Sequence, residues 1–297
     1  MSSTSRLQLY ILLLLAMILW GLSWTCAKIL GMYADPPVLM FWRFIIAVIS
    51  FIPILIWARE KPRLNKRSFG YVIASACFLT LYNYFYFQGT QVGLAGRGAV
   101  IVTTMNPIFT FVLTVIFFQQ VVYRKDILGL IAGFAGGSLI LKIWEIDLAS
   151  LLATGNLFFL LCAVSWAFLT ISTSKAKIHI PTLSFSFLTF LFSCFIVIPI
   201  GLLYDVLQVF TYDWIFWLNM ILVSTFSMSL ATTIYFIGTT RLGSEKSSAF
   251  IFTVPVSAVG FSMIFLGESL HFTTAAGGVL AITAVYLINM KPPKKQA

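Results

Sequence analysis

The chain has 297 residues, a formal net charge of +10, 60% apolar residues and only 9% charged ones. Soluble domains carry about a quarter charged residues, so an ordinary hydrated surface is excluded and lipid is the expected solvent. At about 20 residues per crossing helix, the length allows roughly ten spans and leaves no room for a separate soluble module.

Apolar runs of spanning length fall at about 8–28, 37–57, 69–89, 98–118 and 127–143. They continue at about 152–173, 183–203, 214–236, 247–266 and 273–290. The runs are apolar all round without period-two alternation, which favours helices over a barrel, and a helix supplies its backbone with internal partners in hydrocarbon. The first run, preceded by Arg6, faintly resembles a signal peptide. It lacks a small-x-small cleavage site and has an internal partner around Trp166, so it reads as a retained helix.

One unit occurs twice. Leu19-Trp20-Gly21-Leu22-Ser23-Trp24 is echoed by Leu161-Cys162-Ala163-Val164-Ser165-Trp166, and Tyr86-Phe87-Gln88-Gly89-Thr90 by Tyr235-Phe236-Ile237-Gly238-Thr239. Pro107 matches Pro255, and Gly129 matches Gly277. Two five-span units give an expected division at 1–146 and 147–297, with the second unit entering the bilayer from the opposite side. The expected fold is an all-α integral membrane protein: ten transmembrane helices as two inverted five-helix repeats around a central cavity. Inverted repeats of this kind belong to alternating-access carriers, whose site lies between the halves.

Charge sets the expected orientation. With the N-terminus inside, fifteen of the 19 basic residues fall on the inner side; Lys28, Arg97 and Lys142 fall outside and Arg43 within a helix. Six of the nine acids (Asp35, Glu145, Asp147, Asp205, Asp213 and Glu268) fall outside. Both termini are therefore expected in the cytoplasm, in the cell (inner) membrane. Short basic clusters between apolar runs meet lipid headgroups, so nucleic acid is not an expected partner. The Arg59-to-Arg67 cluster reads as topology and headgroup contact, with a lipid or regulator site as the alternative.

The chemistry-bearing residues point away from catalysis. There is no G-x-x-x-x-G-K-[ST] phosphate loop, no H-E-x-x-H and no nucleophile–base pair, and His179 and His271 lie in loops. A membrane-embedded enzyme is thus the weaker class. Cys26, Cys77, Cys162 and Cys194 sit in different runs without ligand spacing and read as small hydrophobes; no cofactor or metal is expected. No acid lies in the middle of a run, so transport is either facilitative or coupled through edge groups or the substrate's own charge.

Polar residues cluster in four runs. Tyr82, Asn83, Tyr86 and Gln88 lie in the third, and Thr103, Thr104 and Asn106 in the fourth. The eighth carries Ser224, Ser227, Ser229, Thr232, Thr233 and Tyr235, and the ninth Ser247, Ser248, Thr253 and Ser257. Trp24 and Trp166 match across the repeats, and Trp166 is too central for an interfacial belt. The candidate substrate-binding set is Trp24, Tyr82, Asn83, Tyr86, Thr103, Asn106, Trp166, Thr232, Tyr235 and Thr253. Interhelical hydrogen bonding and core packing are the alternative reading of each. Pro107 and Pro255 are candidate hinges, or static kinks. Lys28 and Arg43 are candidates to attract an anionic group, or else snorkel or pair with Asp35 or Glu268. Gly129, Gly133 and Gly137, answered by Gly277, Gly278 and Ala281, read as a close-packing seam. A homodimer through the fifth and tenth helices is one use of it.

Trp20-Gly21-Leu22-Ser23-Trp24, Phe41-Trp42-Arg43-Phe44, Asn106-Pro107, Val254-Pro255 and Phe265-Leu266-Gly267-Glu268 followed by Gly277 carry a resemblance. Taken in order, they resemble the EamA family of the drug/metabolite transporter superfamily over nearly the whole chain. The family often has an acid after the fourth helix, where this chain has Gln119-Gln120. The resemblance implies a ten-helix basket with a cavity lined by helices 1, 3, 4, 6, 8 and 9. It also implies a small-molecule substrate, an amino acid or related metabolite, usually exported. A nucleotide-type metabolite exchanger, a channel or a lipid flippase on the same scaffold are the alternatives.

Overall fold

The structure, a computed structural model, describes residues 5–146, 154–266 and 272–290. Asp147, Gly267, Glu268, His271, Lys291, Lys294, Lys295 and the expected repeat boundary after 146 lie outside the described residues. Among the described residues every regular element is helical. In chain order these are α1 (Arg6–Leu30), α2 (Pro36–Ala58), α3 (Lys66–Val92), α4 (Ala95–Phe118) and α5 (Arg124–Leu141). After a 3₁₀ turn at Ile143–Glu145 come α6 (Thr154–Ala176), α7 (Thr182–Gly201) and α8 (Trp214–Leu242). The next rod, α9, is built of Ser244–Ala249, a 3₁₀ turn at Phe250–Thr253, and Val254–Leu266; α10 is Phe272–Asn289. The expected runs fall within these elements to a few residues.

Local chemistry sets many of the ends. Ser5 and Gln8 form a reciprocal capping box at α1, Asn65 and Ser68 do the same at α3, and Asp213 accepts from Ile215 N and Phe216 N at α8. Pro36 opens α2 where no backbone donor is needed. Arg59, Gln119 and Lys142 take left-handed backbone to close α2, α4 and α5, and Gly243 at φ 101° separates α8 from α9.

Among the described residues, seven helices are long and apolar enough to cross a membrane: α1, α2, α4, α6, α7, α8 and α10. The others fall short for different reasons. α3 has ample length but carries Lys66, Arg67, Asn83, Gln88 and Gln91; α5 has 18 residues and starts Arg124-Lys125-Asp126; α9 is broken by its 3₁₀ turn. Seven crossings follow from length and composition alone, and the expectation of ten includes these three. Large apolar side chains face outward along the body, among them Ile49, Ile52, Ile56, Ile131, Val279 and Ile282, as lipid contact requires.

The main packing joins the first half of the chain to the second. α3 and α4 pack on α6, α1 packs on α8 and α9, α2 on α7 and α8, and α5 on α10. The glycine seam is closed within one chain: a Cβ on Gly129 would come 2.6 Å from Ile288, and one on Gly136 would come 2.8 Å from the Gly277 carbonyl. At one end of the body, here the terminal rim, Arg6 donates to the Asn289 carbonyl (3.3 Å), Asn65 to the His179 carbonyl (2.9 Å), and Ser184 N to Glu60 (2.9 Å). At the opposite rim the Tyr33 hydroxyl donates to Asp213 (2.9 Å) and Trp42 Nε1 to the Val206 carbonyl (2.7 Å). The hydrogen bond to Asp213 holds the Tyr33 phenol above its ordinary pKa.

Candidate functional site

Between the rims lies a narrow cavity lined by side chains from both halves of the chain. α1 contributes Trp20, Ser23 and Trp24, α2 Arg43, α3 Leu79, Tyr82 and Asn83, and α4 Val102, Thr103 and Asn106. The second half contributes Trp166 from α6, Ser227, Met228 and Thr232 from α8, and Ile251 and Val254 from α9. Its volume is about 30 Å³, enough for ordered water but not for a metabolite.

Seven of the ten residues read from sequence as substrate-binding meet there: Trp24, Tyr82, Asn83, Thr103, Asn106, Trp166 and Thr232. Three do not line it. Tyr86 lies one layer behind, its hydroxyl donating to the Ser23 carbonyl at 2.6 Å. Tyr235 lies behind Trp166 and shares a hydrogen bond with Thr170 at 2.9 Å. Thr253 faces a groove between α1 and α10 with Arg6, Tyr10 and Tyr286.

The aromatic walls lock together in pairs. Trp24 meets Tyr86 edge-on with centroids 4.8 Å apart, and Trp166, the repeat counterpart of Trp24, meets Tyr235, the counterpart of Tyr86, at 5.6 Å. Trp20 and Trp166 cross at 88° and 4.9 Å, and Tyr82 stands 4.6 Å from Trp166. Such contacts bring α1, α3, α6 and α8 together with few flexible side chains at the centre.

Helix irregularities serve the same walls. α8 widens to π-type turns over Leu222–Thr232, where Trp20 Nε1 donates to the Ser227 carbonyl at 3.2 Å. Pro107 has no N–H to offer the Thr103 carbonyl four residues earlier, on a cavity-lining residue. At the matching place, the N–H of Val254, just before Pro255, turns to the Ile251 carbonyl in the 3₁₀ turn. The two prolines therefore have different backbones: α4 stays helical through Pro107, and α9 tightens before Pro255.

The two candidate cations separate. Lys28 Nζ donates to the carbonyls of Thr90 (3.0 Å) and Gly93 (3.2 Å), so it finishes the C-terminus of α3. Arg43 is 4% exposed and lines the cavity, its guanidinium 5.2 Å from the Tyr86 ring centre and 5.4 Å from that of Phe87. No ion pair among the described residues includes it. Asp35 instead accepts from Gln91, and Glu268 lies outside the described residues.

Trp20, Ser23, Leu79, Val102, Ser227, Met228, Ile251 and Val254 were absent from the sequence-derived set. Trp20 and Ser23 carry a usable signal, since Trp20 precedes Trp24 by one helical turn and Ser23 matches Ser165 across the repeat. The apolar members carry none.

A crystal structure of another protein superposes with a TM-score of 0.75 over 95% of this chain and 96% of that chain, at 17% identity, a likeness of fold alone. An uncharacterized transporter of Bacillus subtilis (strain 168), YvbV, is 25% identical over 305 residues, covering 100% of this chain and 96% of its own. An uncharacterized transporter of Archaeoglobus fulgidus is 23% identical over 285 residues, 95% of this chain and 97% of its own. The model of the EamA-like transporter family matches residues 7–142 and again 153–290. With both halves matched in turn, and with apolar helices enclosing an aromatic and polar cavity, the chain is a multi-pass membrane protein and belongs to the EamA-like transporter family.

Proposed function

We propose that the protein is a secondary carrier that exports amino acids or related small metabolites by alternating access. Two inverted five-helix repeats, ten crossing helices in all, rock about the central cavity in the cell (inner) membrane, with both termini cytoplasmic. The observation that carries this reading is the cavity itself, a polar and aromatic site built from both halves inside a lipid-facing body.

Packing supports the repeat. Exchanging α1–α5 for α6–α10 turns the α3–α6 contact into α8–α1, α4–α6 into α9–α1, and α2–α8 into α7–α3; all six are present. The paired Trp24–Tyr86 and Trp166–Tyr235 contacts obey the same exchange. Rocking is supported by the cross-half hydrogen bonds at both rims, because a 30 Å³ space admits a metabolite only when one rim parts. Trp24, Tyr82, Asn83, Thr103, Asn106, Trp166 and Thr232 contact substrate in this account, while Tyr86 and Tyr235 hold the two tryptophans. Pro107 and Pro255 serve as the bending points. Since the glycine seam is used within the chain, a homodimer through α5 and α10 would use their outward faces.

The test is counterflow in proteoliposomes with a panel of labelled amino acids and nucleotide-type metabolites, with and without a pH gradient. Saturable, ATP-independent exchange is expected for one class of solute. Absence of saturable flux for every solute overturns the carrier reading, and flux without counterflow points to a channel.

A further inference from the structure

Three side chains of the cavity wall carry hydrogen-bonding deficits, of opposite kinds. Arg43 Nε and Nη1 and Trp166 Nε1 are buried donors without a partner, and Asn83 Oδ1 is a buried acceptor without one. The other end of the Asn83 amide is committed, Nδ2 donating to the Leu79 carbonyl at 2.8 Å, so the free oxygen has a fixed assignment. Arg43 and Asn83 both line the cavity, and Tyr86, three residues from Asn83 on one face of α3, is one of the two rings beside Arg43. The cation and the acceptor therefore flank the same stretch of wall.

Ring contact compensates only part of the desolvation of a buried guanidinium. Its donor fork matches a carboxylate in a way that a ring face does not. Among the described residues no acid lines the cavity, which thus holds one positive charge. A zwitterionic amino acid would leave that charge unbalanced inside the membrane. A monoanion would cancel it.

We propose, on the basis of the carrier reading above and of its related-metabolite rather than its amino-acid branch, that the substrate is an organic monocarboxylate bearing one hydrogen-bond donor. Its carboxylate sits on the Arg43 fork, its hydroxyl or N–H meets Asn83 Oδ1, and its apolar body lies among Trp20, Trp24, Tyr82 and Trp166. Net charge, rather than the amino group, is what the site selects.

The experiment compares three probes of similar shape in proteoliposomes of wild-type protein: 3-phenyllactate (monoanion with a donor), phenylalanine (zwitterion) and phenethylamine (cation). Uptake of 3-phenyllactate is expected to exceed that of either other probe by about tenfold or more, the scale of a charged hydrogen bond. Arg43→Gln is expected to remove that preference, with a melting temperature in detergent no lower than wild type, because an unpaired buried charge has been removed. As a readout independent of any variant, 3-phenyllactate should raise the melting temperature of the wild-type protein and phenylalanine should not. Phenylalanine uptake equal to or above that of 3-phenyllactate overturns the inference, as does an unchanged preference in Arg43→Gln. In either case, counterflow of other solutes leaves the carrier reading intact. Absence of flux for every solute overturns both.

Discussion

Asn106 on α4 donates its side-chain amide to the backbone carbonyl of Ala163 on α6, at 3.0 Å, across the junction of the two halves. Asn83 also lines the cavity but spends its amide on its own helix. The two asparagines should therefore respond differently to truncation. Asn106→Ala is expected to lose flux and about 1 kcal/mol of stability, within the range of interhelical bonds in membranes. Asn83→Ala is expected to lose flux with a smaller loss of stability than Asn106→Ala, because the bond it removes lies within its own helix. Thermal unfolding in detergent beside counterflow separates the two; equal destabilisation would contradict the assignment.

A second prediction concerns close packing of the first half against α6. Phe159 is fully buried, and a Cβ on Gly98 would come 2.4 Å from its ring, with Gly89 nearly as close at 2.5 Å. Gly98→Ala should destabilise by about 1–3 kcal/mol, the usual cost of overpacking. Adding Phe159→Leu should recover part of it, read as a rise in melting temperature over the single variant. A Gly98→Ala protein as stable as wild type would show that α3, α4 and α6 do not meet as described.

The helices were legible because lipid demands continuous apolar runs, and the run at 98–118 became α4 with a three-residue change at one end. Sequence type marked Tyr82 and Asn83 as site residues, but it marked Tyr86 and Tyr235 for the same reason. Which tyrosine faces a cavity depends on helix rotation and on local partners such as Ser23 and Thr170, and neither is written in residue type. Lys28 and Arg43 looked alike as isolated cations near one end of the body. Only the folded position of the α3 C-terminus shows that Lys28 is already used. The π-type widening around Ser227 had no signal beyond a serine-rich stretch, because it arises where α8 meets Trp20 of α1.

The rims give a third prediction. Tyr33 and Asp213 join the two halves at the opposite rim. In a background with Cys26, Cys77, Cys162 and Cys194 replaced, Tyr33→Cys with Asp213→Cys should permit cross-linking by a short, cleavable bifunctional thiol reagent. Bridging is expected to stop flux and cleavage to restore it. Undiminished transport by the bridged protein would show that this rim does not need to part.

The most direct measurement is the reach of the cavity from each side of the membrane. Thr232 lines it from α8 and is 3% exposed. In the cysteine-free background, Thr232→Cys in oriented proteoliposomes is treated with a membrane-impermeant thiol reagent, added first on one side and then on the other. Alternating access predicts slow labelling from both sides, suppressed by a transported solute. Labelling from one side alone under every condition, or from neither while flux persists, would contradict it.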